Sequence, residues 1–105
     1  MSEKILFVDD EPAVLEGYCR LLNKDFFVDT ALGAQDGLAA IAAAQEDAYA
    51  VIVSDMRMPE MDGVRFLSRV RTISADSVRI ALTGYADIQQ RRERRLHFSL
   101  SYQTL

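Results

Sequence analysis

The sequence predicts an α/β domain, a parallel sheet with helices on both faces. Three observations lead there. Four short, largely apolar runs alternate with longer stretches of helical period. The runs are nearly continuous in apolar residues, as strands buried on both faces require, rather than alternating polar and apolar. Strand-then-helix repeated four times calls for a parallel sheet with right-handed crossovers.

The first run, Ile5-Leu6-Phe7-Val8, ends in Asp9-Asp10 and reads as a central strand. Asp10 and Glu11 precede Pro12, which suits a helix start because its missing N–H would be unpaired there anyway. Val14, Leu15, Tyr18, Leu21 and Leu22 follow at helical spacing. Phe26-Phe27-Val28 reads as the second strand, and the Ala-rich stretch from Gly33 to about Ala44 as a packed helix around Leu38 and Ile41. Tyr49 to Val53 is a third strand, rich in β-branched residues and ending at Ser54-Asp55. The loop MRMPEMDG leads to a helix from about Val64 to Ile73, with Val64, Leu67 and Val70 on one face. Val78 to Leu82 is a fourth strand, ending at Thr83-Gly84.

A chain of 105 residues, half of them apolar, is one small domain rather than a disordered tail. No apolar run approaches the roughly 18 residues of a membrane span, and the acids beside the first run do not suit a secretory leader. A single Cys19 cannot form an internal disulfide, so a cytoplasmic setting is expected. The net charge of −4 argues against general nucleic-acid binding. That average hides a split: residues 1–90 carry a net −7, and the last fifteen a net +3. We therefore expect a domain over 1–90 and an atypical basic tail over 91–105.

The chemistry gathers at the strand ends. In an open parallel sheet, ligands bind beyond the carboxyl ends of the strands. Asp9, Asp10, Asp55 and Thr83 stand there, from three different strands. If the first and third strands are neighbours, three carboxylates meet and need a compensating cation. Magnesium fits, since it takes a few carboxylates, keeps several waters and completes its shell with phosphate oxygens. A carboxylate also serves as nucleophile in phosphoryl transfer. Acids are common at strand ends, so solvated acids on an ordinary sheet are the plain alternative. An aspartate-nucleophile phosphatase is a poorer match, because it would place D-x-D after its first strand. Met56, Met58 and Met61 suit loop packing better than a soft-metal site, Cys19 reads as a helix residue near the core, and the lone His97 has no evident partner.

ILFVDDEP, VIVSDMRMPEMDG and IALTGYAD, in that order and spacing, closely resemble the receiver domains of two-component response regulators over residues 3–90. The resemblance implies a flavodoxin-like, doubly wound sheet of order 2-1-3-4-5, the order known for a chemotaxis member of that family. It implies that Asp55 is the phosphoacceptor for a histidine kinase or phosphotransfer protein. It makes Asp10 a Mg2+ ligand, Asp9 a second acid acting through water, and Arg57 the donor of a backbone carbonyl to the metal. Thr83 matches the switch hydroxyl that turns toward the new phosphoryl group, and Tyr85 beside it suits an exposed recognition aromatic. The whole is expected to be a signalling phosphoacceptor and not an enzyme.

The tail departs from the family. Receivers continue into a fifth strand ending in Lys-Pro, whose lysine contacts the phosphoryl oxygens, whereas here the only lysines are Lys4 and Lys24. With one permitted set of synonymous codons, moving one nucleotide forward turns RRERRLHFSLSYQTL into AVNEGYIFRFLTKP, the strand and Thr-Lys-Pro expected at that place. The tail thus reads as a frameshift product, with a naturally divergent terminus as the alternative, on a truncated receiver of order 2-1-3-4, with strand 5 absent or replaced by the tail. Phe98, Leu100 and Tyr102 alternate with polar residues, the period of a half-buried strand that would pair with strand 4. An uncovered sheet face beside the first helix would favour a homodimer or a domain-swapped oligomer. The alternative function is a degenerate receiver, an interaction module that does not take up phosphoryl groups for want of the lysine. LTGYADI further resembles receivers joined to cyclic-di-nucleotide phosphodiesterase or other output domains.

Overall fold

The computed structural model of the chain describes residues 4–82 and 102–103. Four parallel strands, β1 (Lys4–Asp9), β2 (Phe27–Leu32), β3 (Val51–Asp55) and β4 (Val78–Leu82), alternate with helices α1 (Pro12–Leu22), α2 (Ala34–Ala44) and α3 (Gly63–Ile73). A two-residue β5 (Tyr102–Gln103) lies antiparallel against Arg79 and Ile80 of β4. The sheet order is β2-β1-β3-β4-β5, so the expected 2-1-3-4 core is present and residues of the tail pair with the fourth strand.

The central strands form as their apolar runs require. Leu6, Val8 and Ile52 point to the face covered by α2 and α3, where they pack with Ile41, Phe66 and Val70. Ile5, Phe7 and Val53 point to the other face, where Leu15 of α1 covers them. On that second face α1 is the one helix among the described residues, and Val51, Ile80 and Leu82 are only half-buried there. Phe7 stacks on Tyr18 of α1 with ring centroids 4.5 Å apart and an interplanar angle of 11°.

Two elements differ from the sequence expectation. The second strand runs Phe27–Leu32 rather than Phe26–Val28. Its continuation, Asp29-Thr30-Ala31-Leu32, is too polar to read as a strand. It is an edge strand with much of both faces open to solvent, so burial imposes no apolar run on it. The third strand begins at Val51 rather than Tyr49 and runs on through Asp55, because Ser54 and Asp55 continue the ladder with Ala81 and Leu82. Met56, Met58 and Met61 are buried in the core cluster, as loop packing required.

Candidate functional site

The C-terminal edge of the sheet assembles the acids. Asp9 ends β1 and Asp55 ends β3, and these strands are hydrogen-bonded neighbours in parallel register. Their ends therefore lie side by side, with Asp10 one residue beyond. One carboxylate oxygen each from Asp9, Asp10 and Asp55 lies within 4.8 Å of the others. Asp9 is only 8 % exposed, while Asp10 and Asp55 are half-buried.

Local backbone holds the acids in place. The Glu11 N–H donates to Asp9 Oδ1 at 2.9 Å, and the Met56 N–H donates to Asp55 Oδ1 at 2.9 Å. The loop after Asp55 then closes on itself. Gly63 N–H donates to the Met56 carbonyl at 3.0 Å, and a Cβ at Gly63 would overlap the Asp55 carbonyl oxygen. Asp62 caps α3 by accepting from the Arg65 N–H at 2.8 Å, as N-cap residues do. Gly33, at φ +94, brings the chain from β2 into α2, with its N–H on the Asp9 carbonyl at 2.9 Å. Gly63 and the Glu11 N–H are positioning groups that composition and spacing did not single out. For Gly63 the signal was the D-G pair that ends the turn-rich Pro59 to Gly63 loop before a helix; the Glu11 N–H left none.

The electrostatics follow from crowding. Burial, above all, pushes the Asp9 carboxyl above its ordinary value; the Glu11 N–H pulls it back, and the charges of Asp55 and Asp10 raise it further. Burial, and then the charges of Asp9 and Asp55, also raise the Tyr18 phenol. Three carboxylates this close favour a divalent cation with an all-oxygen shell, which the donor set fits. Neither lysine reaches them. Lys4 opens β1 at the opposite edge of the sheet, roughly 16 Å from Asp9 at strand rise, and it is paired there with Asp47 at 3.1 Å. Lys24 follows the C-terminal end of α1, at that same far edge. Thr83, Tyr85 and His97 lie outside the described residues.

Comparison with known proteins agrees with this geometry. A family model described as "Response regulator receiver domain" matches residues 5–96. The hydrogenase transcriptional regulatory protein HoxA of Cupriavidus necator is 37 % identical over 90 residues, which is 83 % of this chain and 18 % of that protein. Sporulation initiation phosphotransferase F of Bacillus subtilis is 29 % identical over 93 residues, covering 89 % of this chain and 73 % of that one. The crystal structure of response regulator protein TrrA from Thermotoga maritima, in complex with Mg2+ and BeF, superposes with a TM-score of 0.72 at 27 % identity, covering 84 % of this chain and 75 % of that one. No helix among the described residues is long and apolar enough to cross a membrane.

Proposed function

Because the chain belongs to the response regulator receiver domain family, and is thus a receiver of two-component signal transduction, we propose that Asp55 is its phosphoacceptor. The observation that carries the reading is the meeting of Asp9, Asp10 and Asp55 oxygens within 4.8 Å at the ends of adjacent strands. Asp55 closes β3, and its Oδ1 accepts from the Met56 N–H. That bond helps to hold the carboxylate's orientation at the strand end. In the transfer, a carboxylate oxygen of Asp55 forms the new O–P bond as the N–P bond of a phosphohistidine breaks. The imidazole leaves as the neutral base once it has taken a proton. The donor is a histidine kinase or a phosphotransfer protein.

Asp10 and Asp55 are the direct side-chain ligands of Mg2+ in this reading, the Arg57 backbone carbonyl is a third, and Asp9 acts through water. The ion, when bound, neutralises charge on the phosphoryl oxygens. Thr83, one residue beyond β4, is proposed as the switch hydroxyl. The protein is a signalling phosphoacceptor, with turnover limited to its own phosphorylation and hydrolysis. The chain spans under a fifth of HoxA, so which output such a receiver serves is set outside the matched region.

Incubation with acetyl phosphate and Mg2+, followed by intact mass and peptide mapping, tests the assignment. One phosphoryl group per chain is expected on Asp55, lost in Asp55→Ala and without the metal. Uptake on another residue, or uptake unchanged in Asp55→Ala, rejects it. With Lys4 and Lys24 both at the far edge of the sheet, labelling is expected to be slow.

A further inference from the structure

The sheet has two outer edges, and they differ. The outer edge of β4 is met at Arg79 and Ile80 by β5, whereas β2 ends the strand order with nothing beyond it among the described residues. β2 is six residues long and contains neither proline nor lysine, the usual devices that blunt a free edge. It exposes apolar surface as well: Phe27 is 74 % and Leu32 50 % exposed. We propose that this edge is a homodimer interface, in which β2 of a second copy pairs antiparallel about a twofold axis through Thr30, joining both sheets into one.

The phase of the backbone allows it. The Gly33 N–H donates to the Asp9 carbonyl, so the odd-numbered residues of β2 turn their N–H and C=O groups inward to β1. Val28, Thr30 and Leu32 turn theirs outward to the free edge. A twofold normal to the sheet keeps α1 on the same face in both copies, so paired residues share parity. Two registers keep five residues of the strand paired. Centring on Asp29 sets two carboxylates directly opposite each other, which is destabilising, and engages only Val28 and Thr30. Centring on Thr30 engages Val28, Thr30 and Leu32, sets Val28 beside the partner's Leu32, and places Asp29 opposite the partner's Ala31. Asp29 thereby selects the register.

The adjoining surface is complementary to itself in the same arrangement. A groove of about 660 Å³ runs between α1 and β2, lined by Leu15, Cys19, Thr30 and Leu32, with Glu16 and Arg20 also on its wall. Those two charges are opposite in sign and one helical turn apart. The twofold runs the two α1 helices antiparallel on the same face, so each Glu16 faces the partner's Arg20 across the seam. The two acid sites sit at opposite ends of the joined strands, both open to a phosphodonor.

Cross-linking of the full chain in a Cys19→Ser background tests the proposal. In the Thr30 register the two Thr30 Cα atoms lie about 5.5 Å apart, within disulfide range, and the two Asp29 Cα atoms about 8 Å apart, beyond it. Oxidation with diamide is expected to lock Thr30→Cys as a covalent dimer and leave Asp29→Cys unlinked. Sedimentation equilibrium should show the unmodified chain dissociating on dilution. Thr30→Pro should be monomeric with an unchanged far-ultraviolet spectrum, because the Thr30 N–H turns to the free edge, away from β1. Thr30→Lys should be monomeric as well, by setting two ammonium groups on the axis without altering the backbone. A chain that is monomeric at every concentration, a dimer that survives Thr30→Lys, or Asp29→Cys linking faster than Thr30→Cys would each overturn the proposal.

Discussion

The two ends of the sheet handle buried charge in opposite ways. At the N-terminal end several polar groups find complements, although Arg79 Nε is buried without one. The Tyr49 hydroxyl donates to Asp29 Oδ2 at 2.7 Å, and Lys4 pairs with Asp47 and lies 4.7 Å above the Tyr49 ring. Ser77 donates to the Tyr49 carbonyl at 2.5 Å. At the C-terminal end three acids face one another instead. The first arrangement is what stability selects. The second costs energy by like-charge crowding, a cost that a bound cation would offset, so the pattern of charge separates scaffold from candidate site.

The largest expected effect breaks the loop that presents Asp55. In Gly63→Ala the new methyl overlaps the Asp55 carbonyl, and backbone cannot yield as a flexible side chain would. A loss of about 3 kcal/mol is expected, in the range of overpacking and backbone-strain variants. Mg2+ binding should weaken too, because relief requires moving the β3 end. Chemical denaturation and a metal titration on the same preparation check both. A variant as stable as the parent would show that the close approach constrains nothing.

Asp9→Asn sharpens the contrast from the other side, since removing a charge here should stabilise the metal-free protein. The raised Asp9 carboxyl means that the folded chain holds its proton more tightly than the unfolded chain does. That contribution is complete below the ordinary carboxylate value near 3.8, and it is lost as pH rises through the folded-state value. At neutral pH the parent carries the cost of a buried charge and the repulsion from Asp55 and Asp10, and the variant does not. A gain of about 1–2 kcal/mol is expected, a fraction of the roughly 4 kcal/mol that two such charges exchange at an effective dielectric of 20. The gain should shrink when Mg2+ is present, because the ion stabilises the parent more. Thermal melts with Mg2+ and with chelator, across the acid range, check the sign.

Tyr49→Phe tests the satisfied end. It removes one hydrogen bond to a carboxylate, expected to cost about 1 kcal/mol because exposed Asp29 recovers water. Burial and the bond to Asp29 also hold the phenol well above its ordinary value of 10. The parent should therefore lose stability as pH rises above 10, a loss the variant escapes. Mg2+ affinity should not change in Tyr49→Phe, whereas it must in Asp10→Ala.

How much of this was legible in the sequence follows the same division. Asp9, Asp10 and Asp55 could be read because each ends an apolar run, and adjacency of two central strands is enough to gather them. The Tyr49–Asp29 bond could not, since it depends on the lateral order of three strands and on a register that no local pattern encodes. β2 was legible only where it is apolar, because an edge strand is under no pressure to alternate cleanly. Arg79 was absorbed into an apolar run, yet it is 5 % exposed and its Nη1 donates to the Leu67 carbonyl of α3 at 3.2 Å. A long side chain that buries its stem and finds a carbonyl leaves no mark on the apolar pattern.

The smallest effect belongs to the Lys4–Asp47 pair. Its length of 3.1 Å invites a large value, but Asp47 is 64 % exposed, so solvent screens the attraction and the side chains lose entropy in holding it. Lys4→Met keeps the apolar stem over Tyr49 and removes only the charge. It should cost no more than about 0.5 kcal/mol at low salt and less as salt rises. A salt-independent loss several times larger would mean that the ammonium acts through the Tyr49 ring rather than through Asp47. Asp47→Asn then decides between the two, because it removes the ion pair and leaves the stacking in place.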